Sequence, residues 1–167
     1  MLEVASPVRL KVEVFKPVRV TAPATFVRGV LVRAGTLTEV EARLPAGTCS
    51  IAVKLTGDDE LRRLNLVYAG HDAVTDVLSF PAAPGGGGTP ATADEHVGDL
   101  AISWPMVVRQ AQEFGHPELT ELGLLCVHGL LHLLGWDHES AKERREMSRL
   151  TIAALALSGL SLAPGRL

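Results

Sequence analysis

The alternation of hydrophobic and polar residues predicts strands at several places in the first third of the chain. In residues 9–15 every second residue is apolar, which is typical of a strand with one buried face. Residues 39–44 and 49–55 show a similar pattern on either side of a Pro-Ala-Gly turn signal, so both are predicted to be strands. Between the first two of these strands, residues 21–34 carry apolar residues at helical spacing and end before Gly35, which predicts a helix.

The middle of the chain combines one helix, two strands and a loop of unusual composition. Either Asp58 or Asp59 is suited to cap the helix that follows them. Short apolar segments at 77–80 and 98–103 predict two further strands. Residues 81–97 lie between these strands and include four consecutive glycines, which predicts a flexible Gly/Pro-rich loop within the domain.

Three helices are predicted in the last third of the chain. Ser103 is a favourable N-cap for the first of them. The second begins at Glu118 or Thr120, and the third follows a capping box formed by Ser140 and Glu143. The predicted order of elements is therefore β-α-β-β-α-β-β-α-α-α.

These elements predict the fold class, a single α+β domain over residues 1–167 with one mixed sheet of four to five strands packed against helices. The length fits one domain, and 47% hydrophobic with 21% charged residues is typical of a globular protein. The net charge of −3 argues against a broadly basic surface for nucleic acid. Any contact with nucleic acid would then depend on a local patch rather than on the overall charge.

Cysteine use and hydropathy indicate the compartment. Cys49 and Cys126 lie in apolar surroundings and are expected to be buried thiols in a reducing environment. The first ten residues lack the order of a secretion signal, because Glu3, Pro7 and Arg9 interrupt them. The chain also has no run of about 18 apolar residues. We therefore expect a cytoplasmic protein with no membrane contact.

The most informative segment runs from Cys126 to His138 and reads C-V-H-G-L-L-H-L-L-G-W-D-H. His128 and His132 are four residues apart, so both face the same side of one helix. Gly135 can end that helix in the left-handed conformation, after which the last histidine can return to the same point. Three neutral imidazoles without a fourth protein ligand are typical of an open, catalytic zinc site. We predict such a site, with one zinc ion, at the end of a central helix.

Two other interpretations of this segment are less consistent with its residues. A closed structural site needs a fourth ligand, but Cys126 points to another helix face than His128, and Asp137 is directly adjacent to His138. The segment also resembles the metzincin pattern H-E-x-x-H-x-x-G-x-x-H. Gly129, however, stands where a metalloprotease has its glutamate general base. Peptidase chemistry is therefore not supported.

With that glycine in place, residues 128–138 resemble the signature of the YbeY-type endoribonucleases. Glu121 and Met147 also stand where this family has a glutamate before the motif and a methionine after it. Three further segments are similar to the family's pattern: L-N-L-V-Y at 64–68, Asp72 followed by T-D-V-L-S-F-P at 75–81, and G-D-L-A-I at 98–102. The resemblance runs from about residue 51 to 157, which is most of the chain.

The resemblance also implies further site residues. Asp76 and Ser79 flank a short strand that in this family lies near the helix of His128 and His132, the metal helix. Asp76 could act in catalysis by orienting a histidine or a water, and Ser79 could contact substrate. An alternative role for Asp76 is to cap the start of the strand. Arg144 and other basic residues of its helix could contact RNA phosphate, or could simply form a solvated face.

Two residues depart from the family's pattern. Ala69 stands where the family has an arginine, and Val74 stands where it has a proline. The arginine is thought to serve RNA cleavage as a cation that meets a phosphate, which an alanine cannot do. His71, two residues further on, could take its place as a catalytic group. The departure concerns catalytic strength rather than the fold or the metal.

The resemblance thus implies a zinc-dependent endoribonuclease of the single-strand type, acting in ribosomal RNA maturation and ribosome quality control. Its substrate would be a ribosomal RNA precursor, with the small ribosomal subunit or assembly factors as partners. A second interpretation, which Ala69 favours, is a ribosome-assembly or RNA-binding factor whose zinc is mainly structural. The third is a metallopeptidase-like hydrolase, which Gly129 disfavours.

Overall fold

The structure is a computed structural model that describes residues 9–83 and 95–167. The described residues form four strands: β1 (Leu10–Phe15), β2 (Cys49–Thr56), β3 (Val77–Pro81) and β4 (Glu95–Ser103). They also form six helices: α1 (Ala24–Ala34), α2 (Thr38–Arg43), α3 (Asp58–Ala69), α4 (Trp104–Phe114), α5 (Glu118–Leu133) and α6 (Ala141–Ala156).

The four strands form one mixed sheet in the order β1-β2-β4-β3. β1 and β4 both run parallel to β2, whereas β3 pairs antiparallel with β4. Because Ser79 on β3 lies opposite Leu100 on β4, these two residues share a face of the sheet. The structure confirms the α+β class and the mixed sheet, and β3 is the edge strand next to the predicted metal helix.

The strand predicted at residues 39–44 is wrong, because the structure has the helix α2 there. Only Val40 of this helix is buried, and Glu39 and Glu41 lie in its first turn, where carboxylates favour the helix dipole. Glutamate, alanine and arginine are depleted in strands. A single buried residue between two glutamates imitates strand alternation over so short a segment. The observed order is therefore β-α-α-β-α-β-β-α-α-α.

Most of the predicted helix starts agree with the observed ones. The Ser103 hydroxyl accepts a hydrogen bond from the Met106 backbone N–H, and the Ser140 hydroxyl accepts one from the Glu143 N–H. The cap of α3 is different, because Gly57 holds that position and Asp58 is already inside the helix.

The loop predicted at residues 81–97 is shorter than expected. Pro81 belongs to β3, and residues 95–97 belong to β4, because the pairing between β2 and β4 begins at Cys49 and Glu95. The remainder of the predicted loop, residues 84–94, lies outside the described residues.

The helix α5 is the centre of the fold. Twelve of its sixteen residues are buried, among them Leu122, Leu130 and Leu131, which are fully inaccessible. It contacts α1, α4 and α6 on its flanks as well as β3 and β4. Burying each such leucine contributes about 1.5–3 kcal/mol, so α5 is held mainly by packing rather than by helix propensity.

Among the described residues no helix is both long and apolar enough to cross a membrane.

A buried ion pair fixes the end of the chain to the N-terminal half of α5. The Glu121 carboxylate is fully buried and accepts bonds from Arg166 Nε at 2.6 and 3.1 Å. His116 Nε2 lies 3.6 Å from the same carboxylate, while its Nδ1 accepts a bond from the Ala163 N–H. The residues after α6 are therefore tied down by charge as well as by apolar contacts.

The first prediction concerns this ion pair. Arg166→Ala should lower the free energy of unfolding by about 3–5 kcal/mol, because it leaves the Glu121 carboxylate buried without its cation. The matched control is Arg149→Ala, since Arg149 is 3.0 Å from Glu39 and both side chains are exposed. The control should cost no more than about 1 kcal/mol in the same urea titration. Equal losses in the two variants would contradict the prediction.

Candidate metal centre

Two of the three predicted ligands are brought together by the helix α5. His128 and His132 lie one turn apart, with 2.9 Å between their Nε2 atoms and 4.5 Å between their ring centres. Two nitrogens that share a tetrahedral zinc ion at about 2.05 Å would be roughly 3.3 Å apart. The observed separation is close to this value, so a single ion could engage both imidazoles.

The third histidine reaches the same point because the chain turns sharply after α5. Gly135 has a φ of +95°, a conformation that glycine adopts readily. Trp136 is then anchored by its buried ring, which lies under the Arg43 guanidinium at 3.6 Å. His138 follows, with its ring centre 5.1 Å from that of His132 and 5.7 Å from that of His128.

The three histidines form a group that could hold a metal ion, since one nitrogen from each lies within 4.8 Å of the other two. Burial lowers the pKa of His128 to about 4, and the neighbouring His132 and His138 act in the same direction. The pKa of His132 is also lowered, again mainly by burial. Neutral imidazoles present the free nitrogen lone pairs that a metal requires.

A cavity of about 360 Å³ opens beside these histidines. One of its walls is formed by β3 and the residue before it. The lining residues are Asp76, Val77, Leu78, Ser79, Pro81, His128, His132 and His138. Within the described part of the chain no fourth ligand joins the histidine group, so a bound metal would keep a coordination position open to the cavity. Cys126 is not part of the histidine group and is fully buried, and this burial raises the pKa of its thiol to about 12.

Asp76 lines the cavity and also fulfils the alternative role of capping the strand. Its Oδ1 accepts a bond from the Val77 N–H at 2.8 Å. Its Oδ2 accepts a bond from Gln110 Nε2 on α4 at 3.2 Å. No local motif marks Gln110 in the sequence, because the contact joins residues 34 positions apart. Two hydrogen bonds thus fix the Asp76 carboxylate in the lining of the cavity.

Ser79 lies in the cavity wall, and its hydroxyl donates to the Gly129 carbonyl at 3.3 Å. This contact joins β3 directly to the metal helix. At Gly129 itself, an added Cβ would lie 2.7 Å from Leu100 Cδ2 on β4. The absence of a side chain therefore allows α5 to approach the sheet closely, and a glutamate here would meet the sheet.

The other predicted site residues are not among those that line the cavity. Arg144 Nη1 donates to the carbonyls of His138 and Glu139 at 3.3 and 3.1 Å, so it supports the loop that carries the third histidine. His71 is exposed after the end of α3, where its backbone N–H bonds to the Asn65 carbonyl. Ala69 is the last residue of α3 and is also exposed.

Fold and site together define a class of protein, an α+β domain whose three-histidine group could hold a metal, as in metal-dependent hydrolases. The sequence model of the family described as Endoribonuclease YbeY matches residues 20–158. Endoribonuclease YbeY of Roseiflexus sp. (strain RS-1) is 40% identical over 141 residues, which is 83% of this chain and 88% of the relative. The corresponding protein of Moorella thermoacetica is 44% identical over 119 residues, covering 69% of this chain and 76% of the relative.

The chain belongs to the Endoribonuclease YbeY family, a family of nucleases, and the resemblance seen in its motifs is confirmed. A protein of Thermotoga maritima, solved in solution, has a similar fold with a TM-score of 0.56. That comparison covers 94% of this chain and all of the other at 22% identity, so it supports the fold alone.

The second prediction concerns Gly129. Gly129→Glu should lower the free energy of unfolding by at least about 2 kcal/mol, because the side chain would crowd Leu100 and bury a carboxylate. The variant should gain no peptidase activity. The control is Gly29→Glu, where the nearest atoms to an added Cβ belong to the Arg33 guanidinium, the far end of a flexible side chain. This control should be as stable as the unmodified protein or up to about 1 kcal/mol more stable. Chelator-sensitive cleavage of casein by Gly129→Glu would contradict the prediction.

Proposed function

We propose that this chain is a zinc-dependent endoribonuclease that cleaves single-stranded RNA during ribosomal RNA maturation and ribosome quality control in the cytoplasm. The observation that carries the proposal is the group of three histidines facing a cavity with no fourth ligand among the described residues. Membership of the YbeY family supplies the reaction class. Ribosomal RNA precursor is the proposed substrate, and the small ribosomal subunit or assembly factors are the proposed partners.

His128, His132 and His138 would hold one zinc ion. When bound, zinc supplies a Lewis acid for a phosphoryl oxygen and lowers the pKa of water towards about 7. The donor set fits this metal, because imidazole nitrogen is a preferred zinc ligand and burial keeps His128 neutral. The loop that carries His138 is also supported, because Arg144 donates a hydrogen bond to the His138 carbonyl.

Asp76 is the proposed catalytic carboxylate. Its Oδ1 accepts a hydrogen bond from the Val77 N–H, and its Oδ2 accepts one from Gln110. A carboxylate oxygen can accept more than one hydrogen bond, so both oxygens can still bind a substrate group or water. Asp76 can therefore orient a water molecule or the 2′-hydroxyl of RNA in the cavity by accepting a hydrogen bond from it. As a general base, it can then take up the proton. Ser79 is proposed to shape the substrate side of the cavity through its bond to Gly129 rather than to bind phosphate directly.

A second candidate function is a ribosome-assembly factor in which zinc only stabilises the fold. It is favoured by Ala69, which replaces the arginine that the family uses towards phosphate. The open cavity beside the histidines argues against a purely structural metal, because structural zinc sites are closed by a fourth protein ligand. His71 is the proposed substitute for the missing arginine, although it does not line the cavity.

The third prediction tests the metal. Purified protein should contain one zinc ion, and a chelator should abolish cleavage of ribosomal RNA at a concentration that leaves the protein folded. His128→Ala should lose both the zinc and the cleavage, because one of three ligands is missing. Metal analysis, gel assay of RNA cleavage and circular dichroism measure these outcomes. If cleavage is absent throughout and the chelator only lowers the melting temperature, the assembly-factor function is the correct one.

The fourth prediction concerns the departure at position 69. Ala69→Arg should increase RNA cleavage by roughly 10–150-fold, because a charge-assisted hydrogen bond to phosphate contributes about 1.5–3 kcal/mol. The zinc content should not change, since Ala69 is exposed at the end of α3 and lies outside the histidine group. Val67→Arg, on an exposed position of the same helix, is the matched control for added charge. Equal effects of the two variants would contradict a specific role for this position.

A further inference from the structure

The exposure of Tyr68 does not follow from its position on α3. The buried residues of this helix are Leu61 and Asn65, and Tyr68 continues the same stripe three residues further on. A tyrosine in such a stripe is expected to be covered, yet Tyr68 is 69% exposed. Among the described residues its ring contact is with Phe80 of β3, at 5.2 Å between ring centres and 68° between ring planes. This edge-type contact fixes the Tyr68 ring and leaves most of its surface free.

The position of this ring relative to the metal centre follows from the strand β3. Phe80 lies between Ser79 and Pro81, both of which line the cavity beside the histidines. Because successive strand residues point to opposite faces, Phe80 and Tyr68 lie across β3 from the Ser79 side chain. In the described part of the chain β3 is an edge strand, paired with β4 alone. An extended ligand that crosses this edge can therefore touch both the cavity and the Tyr68 ring.

We propose that Tyr68 is a base-stacking residue that positions single-stranded RNA next to the metal centre. Aromatic side chains with a free face stack RNA bases, and this contact tolerates any base because every base has a flat π face. The ring would hold a base that neighbours the cleaved bond, so Tyr68 is a positioning residue and not a catalytic one. This inference rests on the proposed function, because it takes RNA as the ligand.

The surroundings of Tyr68 fit a nucleic acid better than a protein partner. Leu66 and Val67 are also exposed, but consecutive helical residues are about 100° apart, so the three side chains do not form one apolar face. The residues just after α3 are Gly70, His71 and Asp72, which are exposed and non-apolar. Tyr68 is therefore an exposed ring held at one edge by Phe80 and followed in the chain by exposed polar residues, an arrangement that matches the platforms on which single strands stack.

The kinetic test compares four variants with the unmodified protein on a short single-stranded RNA. Tyr68→Ala should raise the KM for cleavage by about 5–150-fold, the range found when a stacking ring is removed. Tyr68→Phe keeps the flat ring and should stay within about twofold of the unmodified protein. Tyr68→Leu keeps an apolar cover over Phe80 without a flat face, so it should behave like Tyr68→Ala. Val67→Ala is the surface control and should change nothing, because Val67 is 62% exposed on the same helix.

A second measurement does not depend on cleavage, and its main readout needs no Tyr68 variant. Tyr68 is the single tyrosine of the chain, so incorporation of 3-fluorotyrosine gives one ¹⁹F resonance that reports on this ring. Titration with RNA should shift the resonance in His128→Ala protein, which leaves the RNA uncut. An oligonucleotide with an abasic nucleotide at the stacking position should leave the ¹⁹F resonance unshifted. The same oligonucleotide should bind about as weakly to the unmodified chain as intact RNA binds to Tyr68→Ala.

The outcomes separate this inference from the proposed function. A resonance that RNA does not move at saturation overturns the stacking role, and so does a Tyr68→Leu protein with the KM of Tyr68→Phe. If no protein cleaves RNA but the resonance still shifts with base-dependent affinity, the stacking role stands and the nuclease function fails. If cleavage is normal and Tyr68→Ala leaves KM unchanged, the nuclease function stands and the stacking role fails.

Discussion

The close packing of α5 against β4 at Gly129 determines the geometry of the whole site. A Cβ at this position would lie 2.7 Å from Leu100 Cδ2, so any larger residue would force the buried Leu100 side chain or the helix α5 to shift. The same contact brings the Gly129 carbonyl within reach of Ser79 on the edge strand, and β3 thereby becomes one wall of the cavity beside the histidines. Gly129, at the position of a peptidase's general base, is therefore also the residue at which α5 and β4 approach closely. The absence of a peptidase general base and the close approach of α5 to β3 and β4 thus involve the same residue, Gly129.

The central helix is held at both ends by contacts that are distant in sequence. At its N-terminal end the buried Glu121 carboxylate binds Arg166, near the end of the chain. At its C-terminal end the turn after Gly135 is fixed by the buried Trp136 ring, over which Arg43 lies. These anchors leave α5 little freedom to slide or rotate, and two of its histidines can hold a constant separation before any metal binds. A site built on such a helix is preorganised, which reduces the entropy lost when an ion or a substrate is bound.

Local signals were sufficient to predict much of this arrangement from the sequence. The caps at Ser103 and Ser140 and the i, i+4 spacing of His128 and His132 each depend on residues within one or two helical turns, and the structure agrees with all of them. The strand predicted at residues 39–44 failed because one buried valine between two glutamates satisfies both a strand and a helical pattern. The support of Asp76 by Gln110 and of Glu121 by Arg166 could not be predicted, because these partners are 34 and 45 residues apart and meet only through the tertiary fold.

The distribution of charge limits how such a protein can hold RNA. Its net charge is −3, and many of its exposed cations are already paired with carboxylates of the same chain. These pairs are Arg9–Glu41, Lys54–Glu60, Arg62–Asp72, Arg63–Glu60, Arg109–Asp58 and Arg149–Glu39. Each paired cation would have to give up its carboxylate before it could neutralise a phosphate, so the release of counterions from RNA contributes less than it does for a basic protein. Contacts that do not depend on charge, such as the proposed stacking on the Tyr68 ring across β3 from the cavity, would then carry a larger share of the affinity. The negative net charge and the exposed Tyr68 ring thus both favour the proposed stacking of RNA bases over binding that depends mainly on charge.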